Sequence, residues 1–213
     1  MKTTQLPARR GRPKDPGKRA AILDAAKELF ARGGLAGTSM EAIAARAGVS
    51  KLTLYSHFKR KEELFQQAVI AKCEEHAPPS LYEVKPGEPL RARLITLASG
   101  FLALIMSDES MELHRMMAAQ AGGGSKLGRL FFAAGPQRVM AQFSRLLEAA
   151  TRSGELKVPD PQRAAAHFFC LLKGTDHLRV LVGAGAPPSR AAARAHVADV
   201  VELFLRAYAP RRG

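Results

Sequence analysis

Cysteine is nearly absent from this chain. The 213 residues hold two, Cys73 and Cys170. They form neither a C-x-x-C pair nor a disulfide framework, which points to a reducing, cytoplasmic setting. Long hydrophobic runs are missing too. The longest, around Leu94 to Met106, falls short of the ~18–20 residues that cross a bilayer, so no membrane partner is expected. The opening stretch MKTTQLPARRGRPKDPGKRA is charged and lacks the apolar core of a secretory signal. Runs of alternating β-branched residues are lacking, so strands are not expected. The six histidines (His57, His76, His114, His167, His177 and His196) never pair at i, i+4 and sit in no H-E-x-x-H pattern. No metal is expected. Without a nucleophile elbow, P-loop or paired-carboxylate signature, neither an enzyme nor a cofactor is expected.

Negative charge is scarce, above all at one end. The chain carries 33 Lys and Arg against 19 Asp and Glu, a formal +14. Residues 1–61 hold 14 basic and 4 acidic side chains, so most of the excess sits in under a third of the length. A concentrated basic segment is the electrostatic footprint of a nucleic-acid binder; a solvated tail or an anionic membrane contact is the alternative.

What is present is helical periodicity. Residues 1–17 have prolines, glycines and arginines but nothing to pack, and 1–16 read as a disordered basic arm. A first helix runs from about Gly17 to Arg32, with Ile22, Ala25, Ala26, Leu29 and Phe30 on one face. Gly33-Gly34 ends it. A second starts at Thr38-Ser39, where Thr38-x-x-Glu41 fits a capping box. A tight turn follows at Ala47-Gly48-Val49-Ser50, then a short helix from Lys51 to His57. A fourth helix spans about Lys61 to Glu75. The prolines between Pro78 and Pro89 read as a linker. Beyond it, Leu90 to Met106 is apolar nearly all round and should be buried. Helices at Glu109–Ala121, from Ser125 with a break at Gly135-Pro136, at Asp160–Val182 and at Pro188–Tyr208 complete the chain.

Two short helices joined by a glycine-containing turn form a helix-turn-helix, here at residues 39–58. Leu54 and Phe58, at i and i+4, can face a core. Lys51, Leu52, Thr53, Tyr55, Ser56 and His57 remain for groove reading.

The pattern Thr38-Ser39-Met40-x-x-Ile43-Ala44-x-x-Ala47-Gly48-Val49-Ser50-Lys51-x-x-Leu54-Tyr55-x-x-Phe58-x-x-Lys61-Glu62-x-Leu64 resembles the DNA-binding domain of the TetR/AcrR family of transcriptional regulators. The match runs ungapped from about Gly17 to Val69. Phe131 to Pro136 and Gly154-Glu155-Leu156 resemble a regulator-type C-terminal domain of that family. The resemblance implies an all-α fold: a three-helix helix-turn-helix domain at 17–76 and a helical bundle for ligand binding and dimerisation at 77–213, about nine helices in total. It implies a homodimer on a pseudo-palindromic double-stranded operator. It assigns phosphate contacts to Thr38, Tyr55, His57 and Lys61, and places Ser50, Lys51, Leu52 and Thr53 at or near base edges. Ser39 joins the DNA-facing set at the start of the second helix. Leu52 stands where a smaller residue is common, and either reads a thymine methyl or packs. Arg60 stands where a capping side chain is common, so the fourth helix is expected to start uncapped.

In the arm, Arg9-Arg10-Gly11-Arg12-Pro13 resembles a minor-groove hook. Arg12 enters an A·T-rich groove in that reading, or the arm attracts DNA non-specifically. The resemblance also implies a pocket for a small apolar or amphipathic effector. Phe101, Ile105, Met116, Met117, Phe143 and Phe169 are its candidate wall, although core packing explains the same set. His177 is the candidate anchor, with His114, Gln120 and Arg179. The stripe Val197 to Tyr208, with Ala164, Ala165, Phe168, Leu172 and Leu181 facing it, is the dimer candidate; filling one subunit's own core is the alternative.

The favoured function is a ligand-responsive repressor. A sequence-tolerant architectural DNA-binding protein and a helical ligand-binding protein without operator binding are the other classes.

Overall fold

A computed structural model describes residues 15–83, 87–119 and 125–210. The basic arm through residue 14, with Arg12, and Gln120 lie outside the described residues. Asp15 and Pro16, assigned to the arm by the sequence, instead open the first helix, α1 (Pro16–Gly33). The Asp15 carboxylate accepts from the Gly17 N–H, and Pro16 occupies a first-turn position where a missing N–H is harmless. Ile22, Ala25, Ala26 and Phe30 point inward as their spacing predicts.

Two short helices follow, α2 (Met40–Arg46) and α3 (Lys51–His57), then α4 (Lys61–His76). The cap of α2 is not the expected one. Ser39, not Thr38, takes the extended cap position, and its hydroxyl accepts from the Ala42 N–H at 3.0 Å. Thr38 is turned into the core. Gly48 adopts φ +66° in the turn before α3, a conformation that favours glycine. Arg60 leaves α4 without a side-chain cap, as expected.

A 3-10 turn at Pro79–Tyr82 occupies the proline-rich segment. Leu81 and Tyr82 pack on the C-terminal core, so this connector is anchored. The remaining helices are α5 (Leu90–Met106), α6 (Asp108–Ala119), α7 (Lys126–Ala134), α8 (Pro136–Arg152), α9 (Pro161–Leu181) and α10 (Arg190–Ala207). Among the described residues there are ten α-helices and no strands. The count reaches ten because the segment broken at Gly135-Pro136 is two separate helices. No single described helix is long and apolar enough to cross a membrane.

α5 is less uniformly buried than its composition suggests. Thr96, Ser99 and Ala103 face out, while Arg93 is buried. The Arg93 guanidinium bonds Glu88 at 2.7 Å and the Glu83 carbonyl, tying the connector to α5.

There are two apolar cores. The N-terminal one joins α1–α4, but Leu127 and Ala134 of α7 belong to it, and Leu113, Met116 and Met117 of α6 pack against it. The C-terminal one joins α5, α8, α9 and α10 around Phe143, Phe168 and Phe204. Residue 76 is thus a boundary in sequence but not in packing. Ion pairs join α4 to the second half: Lys126–Glu62 (2.7 Å), Lys72–Glu109 (3.2 Å) and Arg138–Glu74 (2.6 Å). Exposed pairs contribute only about 0–1 kcal/mol each, so they set register more than stability.

Candidate nucleic-acid interface and effector cavity

α3 has one anchored side. Leu54 and Phe58 are buried, and Val49 is partly buried against the same core. Arg19 of α1 lies over the Phe58 ring at 5.3 Å and donates to Gln67 of α4 at 2.9 Å. These contacts fix the rotation of α3 about its axis. The opposite side is open: Lys51, Leu52, Tyr55 and Ser56 are exposed. Leu52, at 82% exposed, does not pack within this chain, which removes one of its two readings. An apolar side chain held that far into solvent at the start of such a helix is suited to a thymine methyl.

The other expected contacts divide. Ser50 caps α3, its hydroxyl taking the Thr53 N–H at 3.1 Å and meeting the Thr53 hydroxyl at 2.9 Å. Both hydroxyls stay at the exposed end of the helix while ordering it. Lys51 reaches Glu41 at 3.3 Å. His57 is partly buried, and Ser39 faces solvent beside its cap. Thr38 is a correction. It is 4% exposed and its hydroxyl donates to the Leu29 carbonyl at 3.0 Å, so its side chain closes α1 onto α2 rather than facing phosphate. Lys61 donates to the Thr38 carbonyl at 2.9 Å, which leaves two of its three ammonium donors for other partners.

The second site is a cavity of about 380 Å³ between α4, α5, α6, the α7–α8 elbow and α9. Its size is in the range of small-molecule sites. Phe101, Ile105, Phe169 and His177 line it as expected, and so does His114. Three expected wall residues do not. Phe143 is wholly buried in the C-terminal core, stacked on Phe168 at 4.6 Å. Met116 and Met117 turn the other way and pack on the N-terminal core. Arg179 is exposed and pairs with Asp176 at 3.1 Å, away from the cavity.

Sequence reasoning missed Val69, Lys72 and Cys73 in this wall, because α4 had been assigned wholly to the DNA-binding half. Their spacing of three and four was the available signal. Burial lowers His114 to about 4, with His177 and Lys173 adding to the shift, and burial and Lys173 lower His177 as well. Both rings are therefore neutral near pH 7. Burial pushes the Cys73 thiol up to about 11, so it is inert as a nucleophile. At the elbow, a Cβ on Gly135 would stand 3.2 Å from Val69 Cγ1, so α4 and the α7–α8 bend touch at the cavity edge.

Residues 22–68 match the bacterial regulatory proteins of the tetR family, and residues 92–210 match the C-terminal domain of AefR-like transcriptional repressors. The chain belongs to the TetR family of transcriptional regulators. This TetR-family regulator is 28% identical over 190 residues to the transcriptional regulatory protein RaaS of Mycobacterium tuberculosis, covering 89% of this chain and 84% of RaaS. A TetR-family regulator structure from Mesorhizobium loti aligns with a TM-score of 0.70 at 30% identity, over 92% of this chain and 99% of that one. The flavonoid-responsive regulator FrrA aligns at 0.63 and 32%, over 92% and 98%. The helix-turn-helix of this TetR-family regulator is therefore its DNA-binding element.

Proposed function

We propose that the protein is a ligand-responsive repressor that binds a pseudo-palindromic operator as a homodimer. One observation carries the ligand response: α4 is shared between the two sites. Leu64, Phe65 and Ala68 are buried in the core that holds α3, while Val69, Lys72 and Cys73 line the cavity. A molecule in the cavity touches the helix that follows the recognition helix in the chain and shares its core. If it binds better when α4 is displaced, linkage weakens DNA binding by the same factor, typically ~1–3 kcal/mol. The match to AefR-like repressors and the similarity to FrrA support repression and effector response.

In this reading Leu52 and Lys51 meet base edges, and Tyr55 and Lys61 meet phosphates. Dimerisation doubles the bases read, at half-sites spaced by whole helical turns. The dimer surface differs from the one the sequence suggested. Val197, Val200, Val201 and Phe204, with Ala164, Ala165, Phe168 and Leu172, fill the chain's own core. Leu171, Leu178 and Val182 of α9 and its end, with Leu203 of α10, are instead exposed and apolar. They are the proposed interface.

Selection of bound sequences from random DNA by the full-length protein tests the proposal. A palindromic consensus is expected. Binding without sequence preference and with a steep salt slope would overturn it in favour of an architectural protein.

A further inference from the structure

We propose that the cavity takes an aromatic molecule whose polar end is a weakly acidic hydroxyl, such as a phenol, and selects against cations, carboxylates and purely apolar compounds. The inference rests on the reading of this cavity as the effector site.

Three observations carry it. The first is the aromatic wall. Phe101 of α5 and Phe169 of α9 stand with centroids 4.6 Å apart, and Phe131 of α7 meets His114 edge-on at 5.5 Å. Ring edges and faces from three helices suit a flat aromatic guest, which gains from offset and edge contacts.

The second is a pair of unsatisfied atoms. His114 Nδ1 and His177 Nε2 are buried side-chain nitrogens with no hydrogen-bond partner among the described residues. The two rings stand 5.7 Å apart and both line the cavity, so one guest hydroxyl seated between them would be within reach of both. A buried polar atom left unpaired is costly, and a purely apolar ligand would leave both so. Each neutral imidazole offers one donor and one acceptor. A hydroxyl can donate to one of these nitrogens and accept from the other, which pairs both when one is protonated and its counterpart is not. An ether or carboxylate only accepts, and an ammonium only donates.

The third is charge. Among the described residues no Asp or Glu lines the cavity, whereas Lys72 and Lys173 do. Lys72 is held by Glu109, and Lys173 has no ion-pair partner among the described residues. A cationic ligand finds no countercharge and meets two ammonium groups. A carboxylate finds Lys173, but it gives up its water at a mostly apolar wall and has no proton to donate to an unprotonated imidazole nitrogen. A phenol oxygen is neutral on entry, and the nearby lysines favour the electron-rich oxygen.

The test is isothermal titration of the full-length protein with four probes of one ring system: 2-naphthol, 2-methoxynaphthalene, 2-naphthoate and 2-naphthylmethylammonium. The naphthol is expected to bind at least about tenfold tighter than each of the others, since a site built around a hydroxyl rejects analogues lacking it. In a His114→Leu, His177→Leu double variant, naphthol affinity should fall to that of the ether while ether affinity holds. Unchanged helicity and melting would show that the variant is folded, and His177→Phe alone serves if it is not. Binding of the ether, naphthoate or ammonium as tightly as naphthol overturns the hydroxyl assignment but leaves the cavity a ligand site. Absence of binding by all four overturns the effector-site reading and the proposal with it.

Discussion

Met116 of α6 occupies the space that a side chain on Gly34 would need: a Cβ at Gly34 would lie 2.3 Å from the Met116 sulfur. The turn after α1 is thus seated on the helix that also carries His114 into the cavity. Gly34 itself has φ +61°, so two separate costs attach to any substitution there. Gly34→Ala is expected to destabilise by about 1–3 kcal/mol, from positive φ and from displacing the methionine. In a Met116→Ala background the second part should vanish and the first remain. Urea melts of the four proteins measure this, and strict additivity would show that the two residues do not touch.

Leu52 and Lys61 should separate sequence reading from attraction. Leu52→Ala is expected to leave stability within about 0.5 kcal/mol, because the side chain is in solvent. It should flatten preference at one base pair of each half-site. Lys61→Ala should weaken binding to all sequences alike and lower the salt slope by about one. Titrations against operator variants at several salt concentrations read both effects.

The outer apolar side chains of α9 and α10 predict a second separation. Leu178→Glu or Leu203→Glu is expected to give a folded monomer with weak operator binding, since each places a charge on an apolar contact surface. Val197→Glu should instead prevent folding, because Val197 is in the core. Light scattering with circular dichroism distinguishes them. A Leu178→Glu protein that remains dimeric would move the interface elsewhere.

Acid should destabilise the C-terminal half through His114. Its folded-state value, about 4, is below the ordinary 6.5, so between these values the unfolded chain binds the extra proton. Stability from this group is complete above about pH 7 and declines as pH falls towards 4. His177 shifts in the same direction and Lys173 faces both. The loss from His114 is bounded at about 3 kcal/mol. As the pH drops from 7.5 to 4.5, the difference in stability between wild type and His114→Phe, read from melts, should shift in favour of the variant.

Helix positions were legible because each depends on its own residues. Ile22, Ala26 and Phe30 recur at helical spacing, Gly48 breaks the chain, and Leu54 and Phe58 share a side. The recognition helix was legible for the same reason. The cavity was only half legible. Phe101, Phe143 and Phe169 are alike in sequence, and nothing local tells the one sunk in the core from the two at a wall. Met116 and Met117 lie two and three residues from His114 on a helix with apolar neighbours on several sides. Which side meets which core depends on the placement of α4 and α7, and no short-range pattern encodes that. Thr38 misled because a Thr-x-x-Glu pattern and a Ser-x-x-Ala cap begin one residue apart.

Gly135 has a consequence of its own. It lets the α7–α8 elbow rest against Val69 with no side chain between. A methyl group placed there would push on α4 from the same quarter as a guest in the cavity, and it would never dissociate. Gly135→Ala is therefore expected to act as a covalent imitation of the proposed effector. Its operator affinity without any added compound should already be lowered, and naphthol should lower it little further. In the proposed reading the bare backbone at that bend leaves the unliganded protein responsive: the empty space reserves the signal for molecules that arrive from outside.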